Sequence, residues 1–164
     1  LVNEFSSFAR MPSPIIKKMN IMVPINRAVD LYKMSSKHVI EVKIKNKLNS
    51  IKGDEDQLYR VFINLIKNSE ESFEEKSVKI QGFKGKIDVE ITNNSDYIVI
   101  QLKDNGIGIK DTANIMNPYF TTKKNGTGLG LPIVNKIINE HSGEIKISNH
   151  KNGASVIIAL PIIK

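Results

Sequence analysis

The side chains with the most chemical reach fall in three short clusters. The first is NLIKNSEES, residues 64–72, where Asn64, Asn68 and Glu71 sit at i, i+4 and i+7. In a helix that spacing places three polar groups on one face, opposite a stripe of Leu58, Phe62 and Leu65. Such a face can simply be solvated. Yet asparagine is a mediocre helix former, and an amide carbonyl is a hard oxygen donor suited to Mg²⁺, which keeps most of its waters. The second cluster is DNGIGI, residues 104–109, at the end of an alternating apolar segment. Asn-Gly by itself favours a hairpin turn. With Gly106 and Gly108 together, backbone can approach a flat ligand closely, and the Asp104 carboxylate can accept from an exocyclic amine such as adenine N6. Guanine has a carbonyl at that position, so acceptor would face acceptor. A buried unpaired group costs ~1–3 kcal/mol, which favours ATP over GTP.

The third cluster is GTGLGL, residues 126–131, opening a long helical pattern. Glycine-rich turns at helix N-termini bind phosphate through free N–H groups and the helix dipole. A Walker loop is excluded because no Gly-Lys-Ser/Thr follows, and the dinucleotide fingerprint would need glycine where Leu131 stands. Just upstream, YFTTKKN (119–125) supplies hydroxyls, including Thr122, and two lysines, a composition suited to a flap over a triphosphate.

In order and spacing, NLIKNS, DNGIGI and YFTTKKNGTGLGL resemble the N, G1, F and G2 boxes of the GHKL ATPase/kinase superfamily, and within it the catalytic domain of bacterial sensor histidine kinases. The resemblance spans about residues 20–164, and HSGEIKISN and GASVIIALP are similar to that family's closing strands. The opening LVNEFSSFARMPSP resembles NtrY-type nitrogen-regulation sensor kinases, as the end of the second helix of the dimerisation hairpin.

The resemblance implies roles residue by residue. Asn68 would hold Mg²⁺. Asn64 stands where related gyrase- and MutL-type ATPases carry a water-activating glutamate, and an amide cannot take a proton at neutral pH. Loss of a general base typically costs ~10²–10⁴-fold, so Asn64 implies a kinase that protects its ATP from hydrolysis. Asp104 would read adenine in a pocket shaped by Gly106, Gly108 and Ile109. Phe120 would anchor a lid, and Gly126, Gly128 and Gly130 would hinge it and cradle phosphate, with Thr127, Leu129 and Leu131 beside them. Lys123 is a candidate γ-phosphate contact. Glu71 departs from branches that carry lysine there. No phosphoacceptor motif is present: His38 is followed by Val-Ile-Glu, His141 by Ser-Gly and His150 by Lys-Asn, and surface or capping roles are expected for all three.

The implied cofactors are ATP and Mg²⁺. The implied partners are a histidine-bearing dimerisation hairpin of the same full-length kinase and a response regulator. The parent would be a homodimer anchored in the bacterial inner membrane, with this domain in the cytoplasm. Two other readings remain: an anti-sigma-factor-like serine kinase, against which the proline-bounded N-terminal helix argues, and a non-catalytic nucleotide-sensing module, which typically loses a box.

Positioning these clusters requires an α/β two-layer sandwich, with a mixed, mostly antiparallel sheet covered on one face by helices (the Bergerat fold of that superfamily). Residues 1–11 read as a helix end carrying Leu1, Phe5 and Phe8, stopped by Pro12 and Pro14. Residues 1–20 form that helix end plus linker, and 21–164 the catalytic domain. Helices are expected at 25–36, from an Asp54 cap with Gln57 three residues on through Phe73, and from Thr127 to His141 closed by Gly143. Strands are expected at 38–45, 77–81, 86–92, 97–103, 144–149 and 154–160.

With 164 residues the chain can build one core without staples, and the absence of cysteine excludes disulfides and thiolate chemistry. No segment reads as a signal peptide or membrane span. The chain begins at Leu1 rather than methionine and is expected to be part of a longer protein. The net charge of +7 fits an anionic ligand, and equally a Lys-, Asn- and Ile-rich composition. The lysines are scattered without interleaved aromatics, so nucleic acid is not an expected partner.

Overall fold

The computed structural model describes residues 10–117 and 130–164. The expected helix at 1–11 and the stretch 118–129 therefore lie almost wholly outside the described residues.

A five-stranded sheet has the order β2-β4-β5-β7-β6, from Val39–Ile44 (β2), Lys86–Asn93 (β4), Tyr97–Asp104 (β5), Glu144–His150 (β6) and Gly153–Pro161 (β7). β2 and β4 run parallel, and every other pair is antiparallel. Strict alternation creates two faces. Ile87, Val89 and Ile91 of β4 register with Asp104, Leu102 and Ile100 of β5, and all six are buried. Asp88, Glu90 and Lys103 point to the opposite side, where Lys86 pairs with Glu41 and Asp88.

Among the described residues, three helices cover the apolar face: α1 (Met22–Ser35), α2 (Glu55–Lys79) and α3 (Gly130–Glu140). α2 packs against both α1 and α3. Phe62, Leu58, Ile25, Ile137 and Phe73 are among the fully buried side chains that fill the layer between helices and sheet. The two-layer arrangement expected from the sequence is the one observed.

Several boundaries differ from expectation. The strand expected at 77–81 does not form, because α2 continues to Lys79 and Ser77 Oγ donates to the Phe73 carbonyl one turn back. Val78, which a strand would have turned inward, is 89% exposed. The linker expected ahead of residue 21 contains a short strand, Lys17–Met19 (β1), paired with Ile51–Gly53 (β3), and α1 starts at Met22, three residues before the expected position. Pro24 is accommodated in its first turn, where no helical N–H is required, and Asn20 Oδ1 accepts from the Met22 N–H.

The α2 cap is as expected on one side: Asp54 accepts from the Gln57 N–H. The reciprocal half of the box is replaced. Gln57 Nε2 donates to the Pro12 carbonyl, Asp54 Oδ2 accepts from the Ile15 N–H, and the Asp54 N–H donates to His141 Nε2. At the end of α3 the left-handed residue is Ser142 (φ 58) rather than Gly143. The Gly143 N–H reaches the Ile138 carbonyl and the Ser142 N–H the Asn139 carbonyl, a Schellman closure. Glycine at 143 answers a close approach instead, since a Cβ there would lie 2.6 Å from the Ala159 carbonyl oxygen.

Candidate nucleotide-binding site

The register of the sheet carries Asp104 to the C-terminal end of β5, on the helix-covered face. The residue is 8% exposed, and its carboxylate is held by three donors. Oδ1 accepts from the backbone N–H of Gly106 (3.0 Å) and of Ala154 (3.2 Å). Oδ2 accepts from the Ser69 hydroxyl of α2 at 2.8 Å. An ionised carboxylate has about four lone-pair sites, so Oδ2 retains room for another donor. Asn105 does not make a hairpin. Its Oδ1 accepts from the Lys86 N–H and its Nδ2 donates to the Lys84 carbonyl, tying the loop to β4.

Glycine is required at 106 because a Cβ would meet Ser72 Oγ at 2.0 Å. Ser72 Oγ in turn accepts from the Ile107 N–H at 2.8 Å. Gly108 has φ +79. Beyond it, Asn149 of β6 clasps Ile109 from both sides of its backbone, accepting from its N–H (2.7 Å) and donating to its carbonyl (2.8 Å). Lys76 of α2 lies over the Phe83 ring and donates to the carbonyls of Asn105 and Gly106. The second cluster is thus a loop with its backbone groups fixed by α2, β4 and β6, leaving the Asp104 carboxylate at its base.

Asn64 and Asn68 are both half-buried, one turn apart on α2. The described part of α3 begins at Gly130, where a Cβ would sit 3.9 Å from Asn64 Oδ1. Leu131 packs against the core. The fold therefore brings the first cluster and the end of the third together. Phe120, Thr122, Lys123, Gly126, Thr127, Gly128 and Leu129 lie outside the described residues. Among the described residues, no group of three or more His, Asp or Glu side chains is arranged to hold a metal. The donor chemistry on offer is amide oxygen, which fits a cation that takes few protein ligands and keeps waters.

The three histidines have structural roles. His38 Nδ1 accepts from the Gly85 N–H, and its ring packs against Phe73. His141 bridges the Asp54 N–H and the Ile137 carbonyl, and His150 Nε2 lies 2.9 Å from the Asp104 carbonyl oxygen. Ser69, Ser72, Lys76 and Asn149 were not singled out from the sequence. Ser69 left one sign there, as the polar break in the apolar stripe of α2.

Residues 53–164 match the family of histidine kinase-, DNA gyrase B-, and HSP90-like ATPases. The chain belongs to this family. Nitrogen regulation protein NtrY of Azorhizobium caulinodans is 32% identical over 164 residues, which cover 99% of this chain and 21% of that protein. The chain thus spans about a fifth of the length of that relative. The nucleotide-free catalytic domain of histidine kinase ThkA superposes with a TM-score of 0.73 at 27% identity, over 90% of this chain and 97% of that one. ThkA in complex with response regulator protein TrrA gives 0.76 at 25% identity, over 99% of this chain and 46% of that one. Membership of the family accords with the boxes read from the sequence, and the likeness to sensor histidine kinases holds over nearly the whole chain. Among the described residues no helix is long and apolar enough to cross a membrane.

Proposed function

We propose that this chain binds Mg²⁺-ATP and delivers the γ-phosphoryl group to a histidine on a separate helical hairpin of a longer sensor kinase, from which a response-regulator aspartate receives it. The observation that carries the reading is Asp104. It is a nearly buried carboxylate held by three donors with one oxygen still able to accept, at the base of a loop whose glycine leaves no room for a side chain. That arrangement suits a 6-aminopurine. The full-length protein would be a homodimer anchored in the inner membrane, with this domain on the cytoplasmic side.

Phosphoryl transfer depends mostly on positioning and charge neutralisation. Asp104 anchors the base. The N-terminal end of α3, with the preceding glycines through Gly126 and with Lys123, holds phosphate. Asn68 is the residue that would hold Mg²⁺, which when bound neutralises phosphate charge. Asn64 has no basic group with which to activate water, so ATP survives until an acceptor nitrogen arrives. The acceptor histidine attacks phosphorus, the bond to the β-phosphate oxygen breaks, and ADP leaves.

The test is to add labelled ATP and Mg²⁺ to this chain, with and without a dimerisation hairpin carrying the histidine. Label is expected on the hairpin alone and only when it is present. Label on this chain, or rapid phosphate release, would refute the reading. In parallel, Asn68→Asp and Asp104→Ala are expected to abolish nucleotide binding by calorimetry.

A further inference from the structure

Ser69 is the polar interruption in the buried stripe of α2, and it is 8% exposed. A hydroxyl in that layer requires a partner, and the partner is Asp104 Oδ2 at 2.8 Å. The two oxygens of Asp104 are therefore held in different ways. Oδ1 is pinned by two backbone N–H groups, from Gly106 and Ala154, which belong to the loop and to β7. These fix one point of the carboxylate. The donor from α2 holds the second, and the two oxygens together with Cγ set the plane of the group.

We propose that Ser69 is a specificity-positioning residue: by holding Oδ2 it fixes the carboxylate plane, so that the free acceptor position of Oδ2 meets a 6-amino group and opposes a 6-oxo group. This deepens, and rests on, the adenine-reading role proposed for Asp104. The physical basis is the asymmetry of hydrogen-bond loss. A 6-amino purine gains a charge-assisted bond to Oδ2. A 6-oxo purine sets acceptor against acceptor and leaves a desolvated oxygen unpaired. That penalty persists only while the carboxylate cannot turn away. Without the Ser69 hydroxyl, Oδ1 alone holds it, and the group can rotate to admit water or reduce the clash.

The test compares Ser69→Ala with the wild-type chain. Alanine is a better helix former than serine, so α2 is retained, and the thermal midpoint is recorded alongside. Dissociation constants for ATP and inosine triphosphate are measured by calorimetry, because the inosine base carries no 2-amino group and differs from adenine only in the 6-oxo group and the N1–H that accompanies it. ATP affinity is expected to fall by about tenfold, the scale of one hydrogen bond to a charged group. Inosine triphosphate is expected to bind unchanged or more tightly, so the ATP preference shrinks by about that factor. Equal weakening of both nucleotides, or an unchanged ratio, would overturn the proposal and leave Ser69 a structural residue. Asp104→Ala runs in the same series. If it binds ATP as tightly as wild type, the adenine-reading role of Asp104 is wrong and the role of Ser69 falls with it. If Asp104→Ala loses ATP while Ser69→Ala keeps the wild-type ratio, only the Ser69 proposal fails.

Discussion

At the scale of single residues, two glycines separate space from backbone conformation. Gly106 has no room: a Cβ would meet Ser72 Oγ at 2.0 Å and Ser72 Cβ at 2.9 Å. Gly82 has φ +76 but nothing within 4 Å of where a Cβ would lie. Gly82→Ala should therefore cost only backbone strain, ~1–3 kcal/mol, and leave ATP affinity alone. Gly106→Ala must displace Ser72, which breaks its bond to Ile107 and shifts the loop beside Asp104. Its ATP affinity is expected to fall by about tenfold or more, with a stability loss of ~1–3 kcal/mol. Calorimetry and urea unfolding on both variants separate the two outcomes. The same contrast explains what was legible. Asp104, Gly106 and Gly108 declare themselves through local spacing. Ser69, Ser72 and Asn149 act on residues 35, 35 and 40 positions away, and apart from the polar break that Ser69 makes in its stripe nothing local marks them.

At the scale of elements, long periodic segments were legible and short or ambiguous ones were not. The alternation in β4 and β5 identifies both strands and the buried face. β1 and β3 have three residues each, too few to show a period, and they exist only because they pair with each other. Ser-Val-Lys-Ile-Gln at 77–81 alternates like a strand, but the preceding helix continues into it as far as Lys79 while Lys76 holds the Asn105 and Gly106 carbonyls. Element packing also creates a pH dependence. His38, just ahead of β2, lies between Phe73 of α2 and Phe83, with Nδ1 accepting from the Gly85 N–H. Burial, then the neighbouring Lys37 charge, lowers its pKa below the ordinary 6.5, with Glu70 and Glu74 opposing and Lys84 assisting. The unfolded chain then binds the proton more readily than the folded one. His38 thus contributes stability that is present above pH 6.5 and lost as pH falls through the window below it. Urea midpoints between about pH 5 and 8 should drop on the acid side. His38→Asn, which keeps an acceptor but cannot take the proton, should lose that share of the drop. An identical acid limb in both proteins would show that His38 is not its source.

At the scale of the molecule, the sheet separates two ends. Asp104 closes β5 at one end. At the other, Tyr97 registers with Pro161, and Ile51 bridges Ile162 beside the start of α2. An eight-residue strand puts roughly 25 Å between them. At this far end the segment ahead of β1 is latched onto α2: the Ile15 N–H donates to Asp54 and Gln57 donates to the Pro12 carbonyl. A chain beginning at Lys17 loses both bonds while keeping β1 and the Ile21 and Ile25 core contacts. Each such bond is worth ~0.5–1.5 kcal/mol, so unfolding stability should fall by ~1–3 kcal/mol. Sites this far apart couple weakly when no side chain is common to both, so ATP affinity should stay within about twofold. Urea unfolding and calorimetry on the shortened chain check both halves. Two elements run between the ends: α2, which is capped by Asp54 and carries Ser69, and α3, which starts beside Asn64 and is followed by His141, whose Nε2 accepts from the N–H of the same Asp54 that holds Ile15. If shortening the chain weakens ATP binding in step with stability, α2 or α3 transmits the state of the latch to the nucleotide end. If affinity is untouched, the latch serves only to hold the chain ahead of β1 against the domain.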